Sequence, residues 1–400
     1  MKKQKEWGDE VYSLLSWFSK ENVRKAKVMV VGGGALGNEV VKNLALFGVG
    51  TIVIVDYDTI EYSNLTRSIL FRESDADKGL YKAQVIAQKI EEINPTVKAV
   101  AICGNLKTDV GLGIYREMDV IFGCLDSRLA RFQLNRLCFR ANKTWIDGGI
   151  ENLEGTVRIF TPNVNCYECS LSKLALQEIN ARMPCANVVR RNEKAGRIAT
   201  TPIITSIIGA IQVQEGLKLI HQEQIEKGNL SSLGGNMLHY DGAHNQVNLL
   251  DFTALKSNCL SHEHWDDIIP IPELSAEMPV KDALNLIAKY LNVEEVEINL
   301  RNDKFISKIV SSVTNTVFLP MRPESKIADY LENNKEIRDL HIIEGFLQME
   351  FENIDAEFPF KHLTLKEIGI PYFDILQVST ADKIFHVELT ADKNKFNFLK

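Results

Sequence analysis

The sequence predicts an α/β protein, with a doubly wound and mainly parallel sheet followed by a smaller α+β domain. Two observations carry that expectation. From Val28 onward, short β-branched runs alternate with longer stretches of helical periodicity, and a glycine cluster joins the first run to the first helix. The alternation then stops at IIPIPEL (Ile268–Leu274), whose two prolines read as a linker.

Taken in order, residues 1–26 read as an N-terminal helical segment. A strand begins at Val28, and the helix after the glycines sets Val40, Val41, Leu44 and Phe47 at helical spacing. Strand Thr51–Val55 ends in Asp56. The pattern continues with a helix at Lys82–Ile93, strands at Val97–Cys103 and Asp119–Gly123, a helix at Ser127–Ala141 and a strand at Thr144–Asp147. A further long helix is expected over Ser206–His221. This first domain is assigned to residues 27–267 and the second to residues 275–400. The second should hold an amphipathic helix at Val280–Leu291 and strands at Val296–Leu300, Thr316–Leu319, Leu347–Phe351, Ile375–Val378 and Ile384–Leu389.

Composition narrows the function classes. At roughly 150 residues per domain, 400 residues make two to three domains. With 45% hydrophobic and 25% charged residues, the chain is neither collagen-like nor wholly disordered. A net charge of −7, from 46 basic and 53 acidic residues, does not indicate a nucleic-acid surface. No apolar run reaches the ~18 residues of a membrane span, because Thr205 and Ser206 interrupt the best candidate around Ile203–Ile211. The start, MKKQKEWGDE, has lysines but no apolar stretch behind them. A cytoplasmic protein without nucleic-acid or membrane partners is expected. Seven cysteines, an odd number, do not read as a disulfide framework.

Gly32-x-Gly34-x-x-Gly37 follows a strand and opens a helix, so backbone N–H groups and the helix dipole can meet a phosphate chain. Asp56 ends the next strand, where a carboxylate can accept from ribose hydroxyls in a Rossmann-like sheet. Alone, this fingerprint also fits a dinucleotide oxidoreductase. Asp58, Asn64, Arg67, Arg72 and Lys82 follow at once. Clustered cations suit a triphosphate, whose leaving pyrophosphate carries charge that must be stabilised. Asp126, after another strand end, is a natural Mg²⁺ ligand beside such a nucleotide.

Four stretches carry a resemblance: VVGGGALGNEVVKNLALFGVGTIVIVDYDTIEYSNLTRSILFR, GLYKAQVIAQKIEEINP, CLDSRLARFQLN and WIDGGIENLEGTVRIFTPNVNCYEC. They resemble the adenylation domain of ubiquitin-like-protein-activating enzymes, nearest to the catalytic subunits of the heterodimeric Nedd and SUMO enzymes. The wider family includes ThiF and MoeB adenylyltransferases. The resemblance covers about residues 27–265 and implies ATP and Mg²⁺ as cofactors. It implies Gly32, Gly34 and Gly37 at the phosphates, Asp56 at the ribose, Asn64, Arg67 and Lys82 at phosphate or in catalysis, Asp126 on Mg²⁺ and Asn105 at the nucleotide. Two departures stand out. Ser68 replaces the usual glutamine after Asn-x-x-Arg, and the N-terminal Arg-Tyr-x-Arg-Gln stretch is missing, which catalytic subunits also lack because a partner supplies it. A homodimer, or a heterodimer with an adenylation-domain partner, is implied.

Cys103, Cys124 and Cys138 sit in apolar or helical surroundings and read as buried small hydrophobes, and the other four cysteines divide in two. Cys166-x-x-Cys169 is half of a tetrahedral zinc site, and Cys259-x-x-His262 offers the other half, with His264 as a spare. Cys185 has no partner at metal spacing and lies among Arg182, Arg190 and Arg191, which favour a thiolate. MPCANVV resembles the motif around the thioester cysteine of the catalytic subunits, in a short segment spanning residues 170–200. The end of the chain, TLKEIGIPYFDILQVSTADKIFHVELT, resembles the close of the ubiquitin-fold, β-grasp-like domain that recruits a conjugating enzyme. Together these imply adenylation of a ubiquitin-like protein's C-terminal glycine, a thioester on Cys185 and transfer to a conjugating enzyme. A MoeB/ThiF-like sulfur-carrier adenylyltransferase without that transfer, or a non-catalytic modifier-binding subunit, is the alternative.

Overall fold

Five strands rich in β-branched residues run side by side through the first part of the chain: β1 (Lys27–Val31), β2 (Thr51–Val55), β3 (Lys98–Ile102), β4 (Val120–Gly123) and β5 (Trp145–Glu151). They are parallel, in the order β3-β2-β1-β4-β5, with Lys27 opposite Thr51 and Val28 opposite Val120. This computed structural model describes residues 9–182, 200–252, 255–300, 303–311, 315–327, 330 and 346–399. They fall into two units, the first running to Lys107, over Tyr115–Arg182 and on to His264, the second combining Thr108–Ile114 with the chain from Trp265 onward.

Three antiparallel strands extend the sheet beyond β5: β6 (Glu154–Phe160), β7 (Asn236–Asp241) and β8 (Gln246–Asp251). The long helices of this unit are α1 (Ala35–Phe47), α2 (Lys82–Ile93), α3 (Arg128–Arg140) and α4 (Pro202–Ile220). Helix α1 buries Val40, Val41 and Leu44, the spacing visible in the sequence. Ser127 caps α3 by accepting from the Ala130 N–H at 3.1 Å. Helix α4 is long and apolar enough to span a bilayer by composition alone, but it packs Ile204, Ile208, Val213 and Leu217 into the core. Thr205 and Ser206 do not interrupt it, because both hydroxyls turn back on the Pro202 carbonyl, at 2.8 and 2.9 Å. Ahead of β1, a short helix at Lys20–Lys25 is capped by Ser19, whose N–H donates to His221 Nε2 at 2.8 Å.

Strand order reverses beside β1: α1 leads to β2 on one side, while β4 lies on the other. The carboxyl ends of β1 and β4 therefore border a crevice, the usual ligand position in such sheets.

The second unit is α+β. Its strands are β9 (Ile268–Ile271), β10 (Glu297–Asn299), β11 (Phe305–Ser311), β12 (Val317–Phe318), β13 (Arg322–Pro323), β14 (Phe346–Phe351), β15 (Asn353–Ile354), β16 (Ile375–Ser379) and β17 (Ile384–Leu389). One sheet runs β15-β10-β16-β17-β9; β11 carries β12, β13 and β14 in another. Helix α5 (Val280–Leu291) buries Val280, Ala283, Leu284 and Ile287. The stretch read as a linker is in fact β9, paired in parallel with β17. Pro270 is tolerated there because β9 is an edge strand. Thr108–Ile114 belongs to this unit: Leu112 N–H donates to Asp374 Oδ1 at 2.8 Å, and Gly113 N–H to Phe373 O at 3.1 Å.

Candidate active site

Strand β1 passes directly into Gly32, at φ +97°. A Cβ there would lie 2.3 Å from the Cys124 carbonyl oxygen beyond β4, and one at Gly37 would lie 2.0 Å from the Gly32 oxygen. Glycine is required at both positions for so close a backbone approach. Gly34 differs, since nothing lies within 4 Å of where its Cβ would be. It is the N-cap residue of α1 and has no side chain to occupy the helix amides. The open side of the turn thus meets the positive end of a helix.

Asp56, just past β2, folds back onto this turn. Its Oδ2 accepts the Gly33 N–H at 2.6 Å and its Oδ1 the Asp58 N–H at 2.7 Å. Burial pushes the Asp56 carboxyl above the usual carboxylate range, with Lys82 pulling the other way. Lys82 opens α2 and is buried, and its Nζ reaches Asp58 Oδ2 at 2.7 Å. Gly33, Asp56, Asp58 and Lys82 therefore form one connected group. Gly33 was not singled out in the sequence, yet its N–H ties the turn to Asp56.

Asp126 lies between β4 and the Ser127 cap of α3, and it is exposed. No hydrogen bond or ion pair engages its carboxylate among the described residues, which leaves its oxygens fit to hold a cation. Partial burial and then Asp58, Asp126 and Asp56 push the Tyr57 hydroxyl upward, so these three carboxylates act on one phenol. Asn64 Oδ1 accepts the Glu61 N–H at 3.0 Å, and the Arg67 N–H donates to Asn64 O at 3.1 Å. The Arg67 guanidinium is half-buried and makes no hydrogen bond or ion pair among the described residues. Asn38 holds this stretch to the glycine turn: its amide donates to Gly33 O at 2.9 Å, and its Oδ1 accepts the Leu70 N–H at 3.0 Å. Arg72 is otherwise engaged, donating to Ile69 O at 2.8 Å and Phe71 O at 2.9 Å. Asn105 lies past the outer strand β3, and its Oδ1 accepts the Lys107 N–H at 2.9 Å.

A second ionic group was not foreseen. Asp147 on β5 is fully buried, and its oxygens receive Arg131 Nε at 2.7 Å and Arg158 Nε at 3.1 Å. Burial opposes its charge, but Arg131 and Arg158 prevail and hold the carboxyl below the usual range. Arg131 also donates to Gly148 O at 3.2 Å. The one signal in the sequence was an aspartate set among apolar and glycine residues, in WIDGGI.

The metal-spaced residues converge. The ligand atoms of Cys166, Cys169, Cys259 and His262 all lie within 4.8 Å of one another. Cys166 Sγ is 3.9 Å from Cys259 Sγ, and Cys169 Sγ is 3.3 Å from His262 Nε2. Zinc bonds of tetrahedral geometry separate such atoms by about 3.3–3.8 Å, so the donor set fits zinc. Surrounding groups orient it: Asn135 Nδ2 donates to Cys166 Sγ and Lys256 N–H to Cys169 Sγ, both at 3.2 Å, while His262 stacks on Phe139. His264 faces elsewhere, with its Nε2 at 3.1 Å from Asn163 Oδ1. Cys185, with residues 183–199, lies outside the described residues.

The ThiF family matches residues 9–261 of the chain. The molybdopterin-synthase adenylyltransferase of Salmonella typhimurium is 33% identical over 214 residues, covering 53% of this chain and 80% of that protein. The NEDD8-activating enzyme E1 catalytic subunit of Schizosaccharomyces pombe is 37% identical over 155 residues, 37% of this chain and 34% of the other. The adenylyltransferase and sulfurtransferase MOCS3 of Aedes aegypti is 29% identical over 238 residues; 59% of this chain is aligned, and it spans 50% of that relative's length. A crystal structure of E. coli MccB with ATP aligns at a TM-score of 0.49 and 22% identity, over 61% of this chain and 68% of that one. The Salmonella and Aedes proteins show that the likeness extends to adenylyltransferases beyond the modifier-activating subunits the motifs most resemble.

Proposed function

The chain belongs to the ThiF family, and we propose from that premise that it adenylates the C-terminal carboxylate of a small ubiquitin-like or sulfur-carrier protein. The carboxylate oxygen would attack the α-phosphorus of ATP; a new O–P bond forms as the bond to pyrophosphate breaks, giving an acyl adenylate. The observation that carries this reading is the open glycine turn, the buried Lys82 and an Arg67 guanidinium that no described residue pairs. The Gly34 side of the turn and the α1 amides would cradle phosphate, Asp56 would brace the turn and face the ribose, and Asn64 and Asn105 would add nucleotide contacts. Lys82 and Arg67 would neutralise charge on the departing pyrophosphate. Asp126, with Asp58 nearby, would hold Mg²⁺, which supplies further charge neutralisation when bound. The zinc held by Cys166, Cys169, Cys259 and His262 would be structural, since four protein ligands leave no open position.

Of the two family types, the sulfur-carrier adenylyltransferase is favoured, because the likeness to the Salmonella protein runs through most of that protein's length. A second reading has its own support: a folded α+β unit follows the family match. On that reading Cys185 takes the acyl group as a thioester and a conjugating enzyme docks on the second unit. ATP–pyrophosphate exchange should require the carrier protein and Mg²⁺, and Asp126→Ala should abolish it. Full exchange in Asp126→Ala would overturn the cation assignment. A reductant-sensitive adduct with the carrier, present in wild type and absent in Cys185→Ala, would decide for the second reading.

A further inference from the structure

A cavity of about 340 Å³ opens within the second unit, between Asp109, the start of β13 and the Lys366–Gly369 turn. That volume suits a small molecule. Arg322, Lys326, Lys366, Asp109 and Glu367 face it. Both carboxylates are already engaged. Asp109 pairs with Lys326 at 3.0 Å, and Glu367 Oε2 accepts the N–H and hydroxyl of Thr364 at 2.8 and 3.0 Å. The other two cations have no acidic partner among the described residues. Arg322 donates Nε to Pro320 O at 2.9 Å and stacks 4.5 Å over Tyr330, and its terminal N–H groups bond no group among the described residues. Lys366 Nζ rests 4.7 Å above the Tyr372 ring and makes no hydrogen bond or ion pair among the described residues. Burial holds this ammonium below the ordinary lysine range, and Lys326 adds to the effect while Asp109 opposes it. The wall behind them is tightly built: Gly369, at φ +107°, lies so close to Pro323 that a Cβ would sit 2.7 Å from its Cγ.

Two cations that no described carboxylate pairs directly, facing one cavity, call for negative charge, and a guanidinium whose terminal N–H groups bond no described residue suits a planar or tetrahedral oxyanion. We propose that this cavity binds a small polyanion, a phosphorylated or polycarboxylate molecule, held by Arg322 and Lys366. The site stands apart from the adenylation reading, since none of its residues belongs to the glycine-turn group.

The test uses the full chain, with inorganic pyrophosphate and citrate as separate probes. Trace reductive methylation, mapped by mass spectrometry, reports each lysine by itself, so pyrophosphate bound near Lys82 does not confuse the result. Either probe should slow Lys366 methylation about tenfold and leave exposed Lys281 unchanged. Arg322→Gln should cancel that protection, and Lys366→Gln should weaken citrate binding in calorimetry about tenfold, whereas Lys366→Arg should retain it. Protection by only one probe assigns the ligand to that class, phosphate or carboxylate. Failure of both probes to protect Lys366 at millimolar concentration, or protection unchanged in a folded Arg322→Gln protein, would overturn the proposal.

Discussion

The rim around Gly33 and the ion cluster around Asp147 use similar ingredients, an aspartate at or near a strand end with cations close by, but they are completed differently. At the rim, two amides brace Asp56, Lys82 is shared with a half-exposed Asp58, and the Arg67 guanidinium pairs with no group among the described residues. At Asp147, guanidinium groups meet both oxygens and no surface remains. The first group keeps positive charge in reserve for something that arrives. The second is complete, and its charges hold α3, β5 and β6 together.

Removing each aspartate tests that contrast. Asp147→Ala would strand two largely buried guanidinium groups and should destabilise the protein by about 3–5 kcal/mol, read as a lower urea midpoint. Asp126→Ala at the open rim should leave that midpoint within about 0.5 kcal/mol of wild type. Equal losses in the two variants would erase the distinction.

The metal cluster should fall between them. Cys166→Ser should lose the bound zinc and melt lower, by about 2–4 °C for each kcal/mol of metal binding forfeited. Chelation of the wild type should reproduce the shift, and metal analysis of the purified chain showing well under one equivalent would argue against zinc.

Acid sharpens the comparison, because buried Asp147 and half-buried Asp56 are displaced in opposite directions. Asp147 lies below its unfolded value of about 3.9, so its contribution is complete above that pH and is lost as pH falls through the folded value. Asp56 lies above it, so stability is lost as pH rises through the interval between the unfolded and folded values. Urea midpoints of wild type minus Asp147→Asn, and of wild type minus Asp56→Asn, should therefore slope oppositely with pH. Parallel slopes would contradict the assigned environments.

The two glycines of the turn should differ from each other. Gly34→Ala meets no atom and should cost about 0.5–1 kcal/mol through weaker capping, while reducing ATP binding. Gly37→Ala drives a Cβ into backbone and should cost several times more stability.

Local features were the legible ones. Helices α2 and α5 end where their periodicity ends, and the glycine turn is contiguous, so its role could be read from a few residues. The Cys₃His cluster was legible through spacing, although its halves are 93 positions apart. What escaped depended on distant pairing. Strands β6 to β8 follow no parallel alternation, and β8 is exposed throughout, so no buried face marks it. Strand β9 was hidden by prolines that only its edge position permits. Arg72 is the local exception, engaged by the Ile69 and Phe71 carbonyls of its own turn. Asp147 read as the end of a strand, because Arg131 and Arg158 reach it only once β5 and β6 are in register.

The Cys166–Cys259 contact has one more consequence, for how the chain can change length. It brings two positions 93 residues apart to within 3.9 Å, so the intervening chain is a loop closed at its base. Closure entropy grows only with the logarithm of loop length, and doubling a flexible loop costs about 0.6 kcal/mol. Extra residues entering at a surface turn of this loop would leave the glycine turn and its cations undisturbed. A surface turn within this stretch can therefore accept an added lobe at little cost in stability, with the cluster holding its two ends together.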